Sequence, residues 1–196
     1  MSAINVALVE ADKELNSICF SVLNNAHAIE VTERFYNFYS FQKSLPDIKS
    51  SIVVLDITLP GINILNLIST SKKTRPDINF IISSAWLQHD WVYQCLCAGA
   101  SGYVNKYSNA RQLINIITEI SAGQAQLSLP VAQLIHSKCS IQSNSKFTPL
   151  QSQIIKLFAA GHSHVHVGNV LDKTKSELKL QIGTIYNTLH KSFTIA

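Results

Sequence analysis

The spacing of apolar residues divides the chain into two parts. Through residue 122, short runs of strand-forming residues alternate with stretches in which apolar residues recur every three or four positions, as on one face of a helix. Each predicted strand is followed by a predicted helix, and the strands are 4–9, 28–31, 52–55, 80–82 and 102–104. Five such strand–helix units predict an α/β fold in which a parallel, doubly wound sheet carries helices on both faces.

Strand signals are missing from the last part of the chain, where helix starts replace them. Thr148 and Gln151 have the spacing of a capping box with Pro at the first helical position, and Thr174 and Glu177 form a second one. A short helix at about 165–171 is predicted between these two helices, and this order is that of a helix-turn-helix. The predicted domains are 1–122 for the sheet, 123–146 for a linker with a partial helix, and 147–196 for a small all-α domain.

Composition narrows the class of protein. Apolar residues make up 46% of the chain and charged residues 14%, which is enough to build a core and argues against disorder. No apolar run reaches the roughly 20 residues that span a bilayer, so we expect a soluble, cytoplasmic protein without membrane association. The four cysteines include no C-x-x-C pair, and we expect reduced, free thiols.

The net charge of +4 is concentrated at one end of the chain. Residues 1–145 hold ten basic and ten acidic residues, whereas residues 146–196 hold six lysines and two acidic residues, which accounts for the whole excess. A basic C-terminal part favours an anionic partner, with nucleic acid as the first candidate. The alternative is that these lysines form an ordinary solvated face.

Four chemically active side chains are predicted to meet at one edge of the sheet. Glu10 follows the first strand, Asp56 ends the third, Ser84 follows the fourth and Lys106 follows the fifth. Ligands of open α/β sheets bind outside the carboxyl ends of the strands. Two carboxylates there could hold Mg²⁺, while the lysine and the hydroxyl could contact a phosphoryl group. Taken alone, Asp56 could instead cap the following turn.

These residues stand within motifs that resemble those of the receiver domain of bacterial two-component response regulators. With the C-terminal part included, the chain is similar to the NarL/FixJ family, which joins a receiver of flavodoxin-like fold to a LuxR-type helix-turn-helix. The motifs are Val9-Glu10, Leu55-Asp56, Leu59-Pro60-Gly61, Ser84-Ala85 and the block from Ala98 to Lys106.

The resemblance implies a role for each residue at the predicted edge. A sensor histidine kinase would be the phosphoryl donor, and Mg²⁺ would be the cofactor. The implied roles are phosphoryl acceptor for Asp56, metal ligands for Glu10, Asp56 and the Thr58 carbonyl, switch residues for Ser84 and Tyr103, and phosphate contact for Lys106.

Ala11 departs from the family pattern, in which a second acidic residue follows the first. Losing a carboxylate from a metal that binds few of them should weaken or abolish Mg²⁺ binding. Asp12, one position further on, is expected to cap the first helix.

The C-terminal part is expected to bind DNA as the family's helix-turn-helix does. The resemblance implies that the helix beginning near Lys175 enters the major groove and that Lys179 and Gln181 contact DNA. Lys173, Thr174 and Lys175, at the N-terminus of that helix, could meet backbone phosphates. We expect a homodimer on a two-fold site. Gly183 and Asp172 depart from the pattern, so binding should be weak and sensitive to salt.

Two other functions remain open. The chain could be a pseudo-receiver regulator that is never phosphorylated, or a protein-interaction adaptor that binds DNA weakly or not at all. No Ser/His/Asp or Cys/His constellation and no Gly-rich phosphate loop appears, so we do not expect an enzyme. The histidines at 162, 164 and 166 are interpreted as polar residues of a turn rather than as a metal site.

Overall fold

A parallel sheet of five strands, in the order β2-β1-β3-β4-β5, organises the first part of the chain. The computed structural model describes residues 3–60, 63–85, 89–123, 127–141 and 146–192. The strands are β1 Ile4–Val9, β2 Ile29–Phe35, β3 Ile52–Asp56, β4 Asn79–Ser84 and β5 Gly102–Asn105. The helices between and after them are α1 Lys13–Asn24, α2 Phe38–Ser44, α3 Ile64–Thr74, α4 His89–Ala98 and α5 Ala110–Ser121. The predicted fold class is confirmed.

Alternate residues of the strands build two apolar layers, one on each face of the sheet. Val6, Val54 and Ile81 pack with α1 and α5, while Val53 and Phe80 pack with α2, α3 and α4 on the opposite face. Because central strands are buried on both sides, they are apolar at nearly every position, as their sequences indicated.

The edge strand β2 is longer than predicted, since it runs to Phe35 rather than ending at 31. Thr32, Glu33 and Arg34 break the apolar pattern, but Glu33 and Arg34 pair with Ala7 and Leu8 of β1 beyond a register shift between Val6 and Ala7. An edge strand can carry polar side chains because one of its sides faces water.

Four helices follow the sheet: α6 Leu129–Ile141, α7 Pro149–Ala159, α8 His164–Leu171 and α9 Lys175–Lys191. Both predicted capping boxes are present, Thr148 with Gln151 and Thr174 with Glu177. The helix α6 lies within the predicted linker, whose residues 124–126 and 142–145 lie outside the described part of the chain.

The turn from α8 to α9 is unusually close. Asp172 adopts a left-handed conformation with φ of 50°, and the Lys173 amide donates to the Gly168 carbonyl over 2.9 Å. A Cβ atom on Gly168 would lie 2.8 Å from the Lys173 carbonyl oxygen. Only glycine allows the two segments to approach in this way.

The apolar layer that includes α4 continues into the C-terminal helices. Leu96 of α4 belongs to the same buried cluster as Ile182, Ile185 and Leu189 of α9, and α6 and α7 add further members. An ion pair between Lys138 and Asp90 also links α6 to α4. No helix in the described ranges combines the length and the apolar composition needed to cross a bilayer.

Candidate functional site

Asp56 is the last residue of β3 and lies at the carboxyl edge of the sheet with 2% of its surface exposed. The Thr58 amide donates to its Oδ1 over 2.8 Å. The Thr58 hydroxyl lies 2.7 Å from Oδ1 and 2.8 Å from Oδ2. The turn after β3 therefore holds the carboxylate in one orientation by hydrogen bonds from a single residue.

Lys106 joins the two carboxylates of the edge. Its Nζ lies 2.6 Å from Oε2 of Glu10 and 2.8 Å from Oδ2 of Asp56. The chain places it there because the Lys106 amide donates to the Ser84 carbonyl over 3.0 Å, which ties the end of β5 to the end of β4. The remaining Glu10 oxygen, Oε1, accepts the Asp12 amide over 3.0 Å.

Burial and charge act against each other in this cluster. Burial raises the pKa of Glu10, which the bonds from Lys106 and the Asp12 amide offset in part, while the charge of Asp56 raises it further. Burial lowers the pKa of Lys106, but the two carboxylates outweigh it and leave this pKa raised. The ammonium is therefore the form that the site stabilises.

The residues at this edge offer the oxygen donors that Mg²⁺ prefers, but only two of them are negatively charged. Glu10, Asp56 and the Thr58 carbonyl are oxygen donors, and Mg²⁺ commonly keeps several waters beside one or two carboxylates. Ala11 presents an exposed methyl group where a third carboxylate would stand. Among the described residues no cluster of three metal-ligating side chains occurs. Both carboxylates also contact Lys106, which would compete with a metal for them.

Ser84 and Tyr103 lie on the two strands beyond Asp56. Ser84 ends β4, whose Ser83 pairs with Asp56, and it is fully buried. Tyr103 lies in β5 and is 4% exposed. Burial raises its pKa, and the side chain of Asn105 lowers it in part. Glu10, Asp56, Thr58, Ser84 and Lys106 thus meet at the predicted edge, and Tyr103 lies on its outermost strand. Gly61 of the turn motif lies outside the described residues.

The predicted DNA-binding residues occupy the N-terminal half of α9 and the turn before it. Lys173, Thr174, Lys175 and Lys179 line a common cavity of about 490 Å³, and Gln181 lies two residues beyond Lys179 on the same helix. Glu119 of α5 lines the same cavity. The basic face of α9 therefore looks toward an acidic residue of the sheet-bearing part.

The pKa of His164 in α8 is affected by the same acidic and basic residues. Burial lowers its pKa, the charge of Glu119 raises it, and Lys175 and Lys179 lower it again. The neighbouring imidazoles of His162 and His166 stack with centroids 4.4 Å apart.

Sequence reasoning missed three contributors to these sites. The Thr58 side chain was given no role, although a hydroxyl two residues after an acid is a common local acceptor–donor pair. The Asn16 side chain donates to the Glu10 carbonyl over 3.2 Å and to the Phe35 carbonyl over 3.4 Å. Its one signal in the sequence is that it is a polar residue among the apolar positions of a predicted helix. Glu119 gave no signal, because its position opposite α9 depends on how the two parts pack.

The model of the response regulator receiver domain matches residues 6–118, which is more than half of the chain. The chain therefore belongs to the response regulator receiver family, as the sequence motifs indicated. Over 106 residues it is 26% identical to the response regulator GacA of Pseudomonas aeruginosa, covering 54% of this chain and 49% of that protein. Over 151 residues it is 24% identical to the transcriptional regulatory protein LiaR of Bacillus subtilis, covering 74% and 72%.

Solved structures support the fold over the whole chain. The RcsB response regulator of Salmonella typhimurium aligns with a TM-score of 0.63 and 16% identity over 100% of this chain and 95% of that one. A LuxR-family response regulator from Aurantimonas aligns with a TM-score of 0.64 and 22% identity over 72% and 100%. The chain spans about half the length of the GacA proteins that it matches.

Proposed function

We propose that the protein is a DNA-binding transcriptional regulator whose receiver is controlled at Asp56, by phosphorylation or by a partner contact. The observation that carries the proposal is the cluster of Asp56, Lys106 and Glu10, which joins three strand ends at one buried edge. A carboxylate held there by Thr58 and Lys106 is oriented before any phosphoryl donor arrives.

Phosphorylation would use the residues already in contact. An Asp56 oxygen would form the new P–O bond while the P–N bond of a phosphohistidine donor breaks. Lys106 is placed to shift its ion pair from the carboxylate to the phosphoryl oxygens, and the Ser84 hydroxyl lies on the next strand. When bound, Mg²⁺ would neutralise phosphoryl charge, with Glu10, Asp56 and the Thr58 carbonyl as its protein ligands.

The C-terminal helices supply the proposed DNA contacts. Lys173 and Lys175, at the start of α9, suit backbone phosphates, and Lys179 and Gln181 lie further along the same helix. One solved structure that aligns over 96% of this chain with a TM-score of 0.64 is of two RcsB dimers bound to two parallel DNAs. We infer that this chain also binds DNA as a homodimer, in the cytoplasm and without enzymatic activity.

The basic face of α9 is not accessible to a DNA duplex in this structure. The cavity between α9 and Glu119 holds about 490 Å³, far less than a duplex would need. The end of α9 is also held against α4 by buried apolar side chains. We infer that α9 must leave the receiver before it enters a major groove, and that modification of Asp56 favours this separation.

Intact-mass measurement after reaction with acetyl phosphate and Mg²⁺ tests the receiver half of the proposal. The wild type should gain one phosphoryl group, and Asp56→Asn should gain none. Asp12→Asn is the matched control, because asparagine can also cap α1 and the ion pairs of Lys106 with Glu10 and Asp56 are unchanged. A folded wild type that takes up no phosphate would leave the partner contact as the means of control.

Fluorescence anisotropy with duplex DNA at several salt concentrations tests the DNA half. Removing Lys175 or Lys179 should weaken binding to all sequences and reduce the salt slope by about one counterion each. Lys43→Ala, an exposed change on α2, should alter neither quantity. A wild type without any salt-dependent binding, even when phosphorylated, would contradict the proposal and support an adaptor.

A further inference from the structure

Asn16 is a polar residue of α1 whose side chain is fully buried. Its Nδ2 donates to the Glu10 carbonyl over 3.2 Å and to the Phe35 carbonyl over 3.4 Å, and its Oδ1 accepts from Arg34 Nε over 2.7 Å. A buried amide needs such bonds, because it has lost its bonds to water. The three bonds join α1, the end of β2 and the residue that follows β1 at one point.

Arg34 determines which way the Asn16 amide faces. A guanidinium can only donate and a carbonyl can only accept, so the amide oxygen must face Arg34 and the amide nitrogen must face the two carbonyls. Arg34 is itself held in place. Its Nη2 donates to the Ser17 hydroxyl over 3.0 Å, and its Cζ lies 4.5 Å from the centroid of the Phe20 ring. Asparagine suits this position because it presents an acceptor on one side and donors on the other.

The backbone of Glu10 is held on both sides by this arrangement. Its amide donates to the Phe35 carbonyl over 3.0 Å, and its carbonyl accepts from Asn16. Its carboxylate accepts from two further groups, the Asp12 amide at 3.0 Å and the Lys106 ammonium at 2.6 Å. A side chain keeps such distances only while its own backbone stays in place. The bond from Asn16 therefore contributes to the position of the carboxylate.

We propose that Asn16, oriented by Arg34, is a positioning residue that holds the Glu10 carboxylate in place for Mg²⁺. The proposal rests on the function proposed above, since Mg²⁺ serves the phosphorylation of Asp56. Because Ala11 supplies no carboxylate, the affinity of the site for Mg²⁺ depends all the more on where Glu10 lies. Groups that hold metal ligands in place change metal affinity by about tenfold or more when they are removed.

The rate of Asp56 phosphorylation by acetyl phosphate, followed by intact mass over a range of Mg²⁺ concentrations, tests this proposal. Asn16→Asp keeps an acceptor for Arg34 but turns a second acceptor toward the Glu10 carbonyl. Its half-saturating Mg²⁺ concentration should rise by about tenfold, while the rate at saturating Mg²⁺ stays within about twofold of the wild type. A variant that was merely less well folded would react more slowly by the same factor at every Mg²⁺ concentration.

Arg34→Met is a second variant should Asn16→Asp fail to fold. It keeps an unbranched side chain against Phe20 but removes the donor to Asn16 Oδ1, so the Mg²⁺ requirement should rise in the same direction. Both changes make the surroundings of Glu10 more negative, which by itself would strengthen the attraction for Mg²⁺. A higher Mg²⁺ requirement therefore cannot come from the altered charge. Ser17→Ala, which leaves every bond of Asn16 in place, is the control and should behave as the wild type.

Hydrogen exchange of the Asp12 amide, measured by NMR, follows the position of Glu10 without Mg²⁺ or phosphorylation. This amide donates to Glu10 Oε1, so its protection factor should fall severalfold in Asn16→Asp and in Arg34→Met. The amide of Ile82, inside β4, should keep its protection, because the rest of the sheet stays folded. Equal losses at both amides would indicate general destabilisation and would contradict a positioning role.

Two further results would overturn the proposal. One is an unchanged Mg²⁺ requirement together with unchanged protection of the Asp12 amide in both variants. The other is an effect of Ser17→Ala as large as that of Asn16→Asp. A folded wild type that takes up no phosphate would instead remove the phosphorylation proposed above. The Asp12 amide then decides alone whether Asn16 positions Glu10.

Discussion

Lys106 and Glu10 form a 2.6 Å ion pair whose side chains are only 8% and 12% exposed. The same ammonium lies 2.8 Å from Asp56, so two buried carboxylates share one positive charge. With Ala11 in place of a further acid, that lysine is the positive charge in contact with both carboxylates of the described site. The cluster therefore affects folding as well as the proposed phosphoryl chemistry.

Lys106→Met should destabilise the protein by about 3 kcal/mol at neutral pH, because it leaves two buried carboxylates without their cation. The pKa of Glu10 is already raised above 4.5 by burial, so its protonated form is favoured by folding. Such a group adds most stability below pH 4.5 and loses it as pH rises through the folded pKa. The variant should therefore approach the wild type as pH falls toward 4.5, as measured by urea unfolding.

Lys43→Met serves as the control for this comparison, since it removes a lysine from an exposed position on α2. It should leave stability nearly unchanged at every pH. A Lys106→Met deficit that stays constant down to pH 4.5 would mean that lost packing, rather than unpaired charge, causes the effect.

Gly168→Ala and Gly183→Ala should change stability in opposite directions. A methyl group on Gly168 would meet the Lys173 carbonyl at 2.8 Å, so its insertion should cost about 1–3 kcal/mol. Nothing lies within 4 Å of a methyl group on Gly183, and alanine should stabilise α9 by about 1 kcal/mol. Thermal unfolding of both variants measures the difference, and a stabilising Gly168→Ala would show that the turn after α8 can yield.

Acidification should loosen the end of α9 from the receiver. Burial lowers the pKa of His190, a hydrogen bond to the Ala100 backbone offsets part of this, and the charge of Lys72 lowers the pKa further. A histidine with a lowered folded pKa stabilises the fold above the unfolded value of 6.5, and this contribution is lost as pH falls below it. The protection factors of the amides in the last turn of α9, which are exchange rates corrected for the intrinsic effect of pH, should therefore fall below pH 6.5.

His190→Gln should reduce this pH dependence, because glutamine can still bond to the Ala100 carbonyl and does not titrate. Tyr186, whose ring centroid lies 6.2 Å from that of His190, stays in place in this variant. His27→Gln, at an exposed position before β2, is the control and should retain the full dependence. An unchanged profile in His190→Gln would assign the effect to another group, with His164 the first candidate because burial also lowers its pKa.

Glu119→Gln should raise the affinity of the unphosphorylated protein for duplex DNA by a few-fold. Glu119 shares a cavity with Lys173, Lys175 and Lys179, so removing its charge weakens the attraction that holds the basic face toward α5. Anisotropy titrations at fixed salt measure the change. Glu14→Gln, at the start of α1, removes an acid that does not line this cavity, and an equal gain from that variant would point to net charge alone.

The strand ends could be predicted from the sequence because parallel strands bring their carboxyl ends to a common edge. Asp56 and Lys106, fifty residues apart, were placed together on this argument, and the ion pair bears it out. The two capping boxes were equally local signals, since Thr148 and Thr174 contact residues three positions ahead. Predictions of this kind rest on rules that hold within an element or between neighbouring strands.

Contacts between the two parts of the chain could not be predicted in the same way. The apolar residues of α4 are compatible with burial against any helix, and their packing on α9 depends on the shapes of both surfaces. The position of Glu119 opposite the lysines follows from that packing and has no sequence pattern of its own. The roles of Lys179 and Gln181 on DNA remain predictions.

The shared apolar contact between α4 and α9 has a consequence for the lifetime of the active form. Separating the helices would expose Leu96, Ile185 and Leu189 to water. A newly exposed apolar patch is prone to non-specific association and aggregation. If the chain binds DNA as proposed, an opened molecule must therefore reach DNA or a second copy of itself before it closes again or aggregates. The abundance of the protein in the cell, as much as its degree of modification, would then set how strongly its target genes respond.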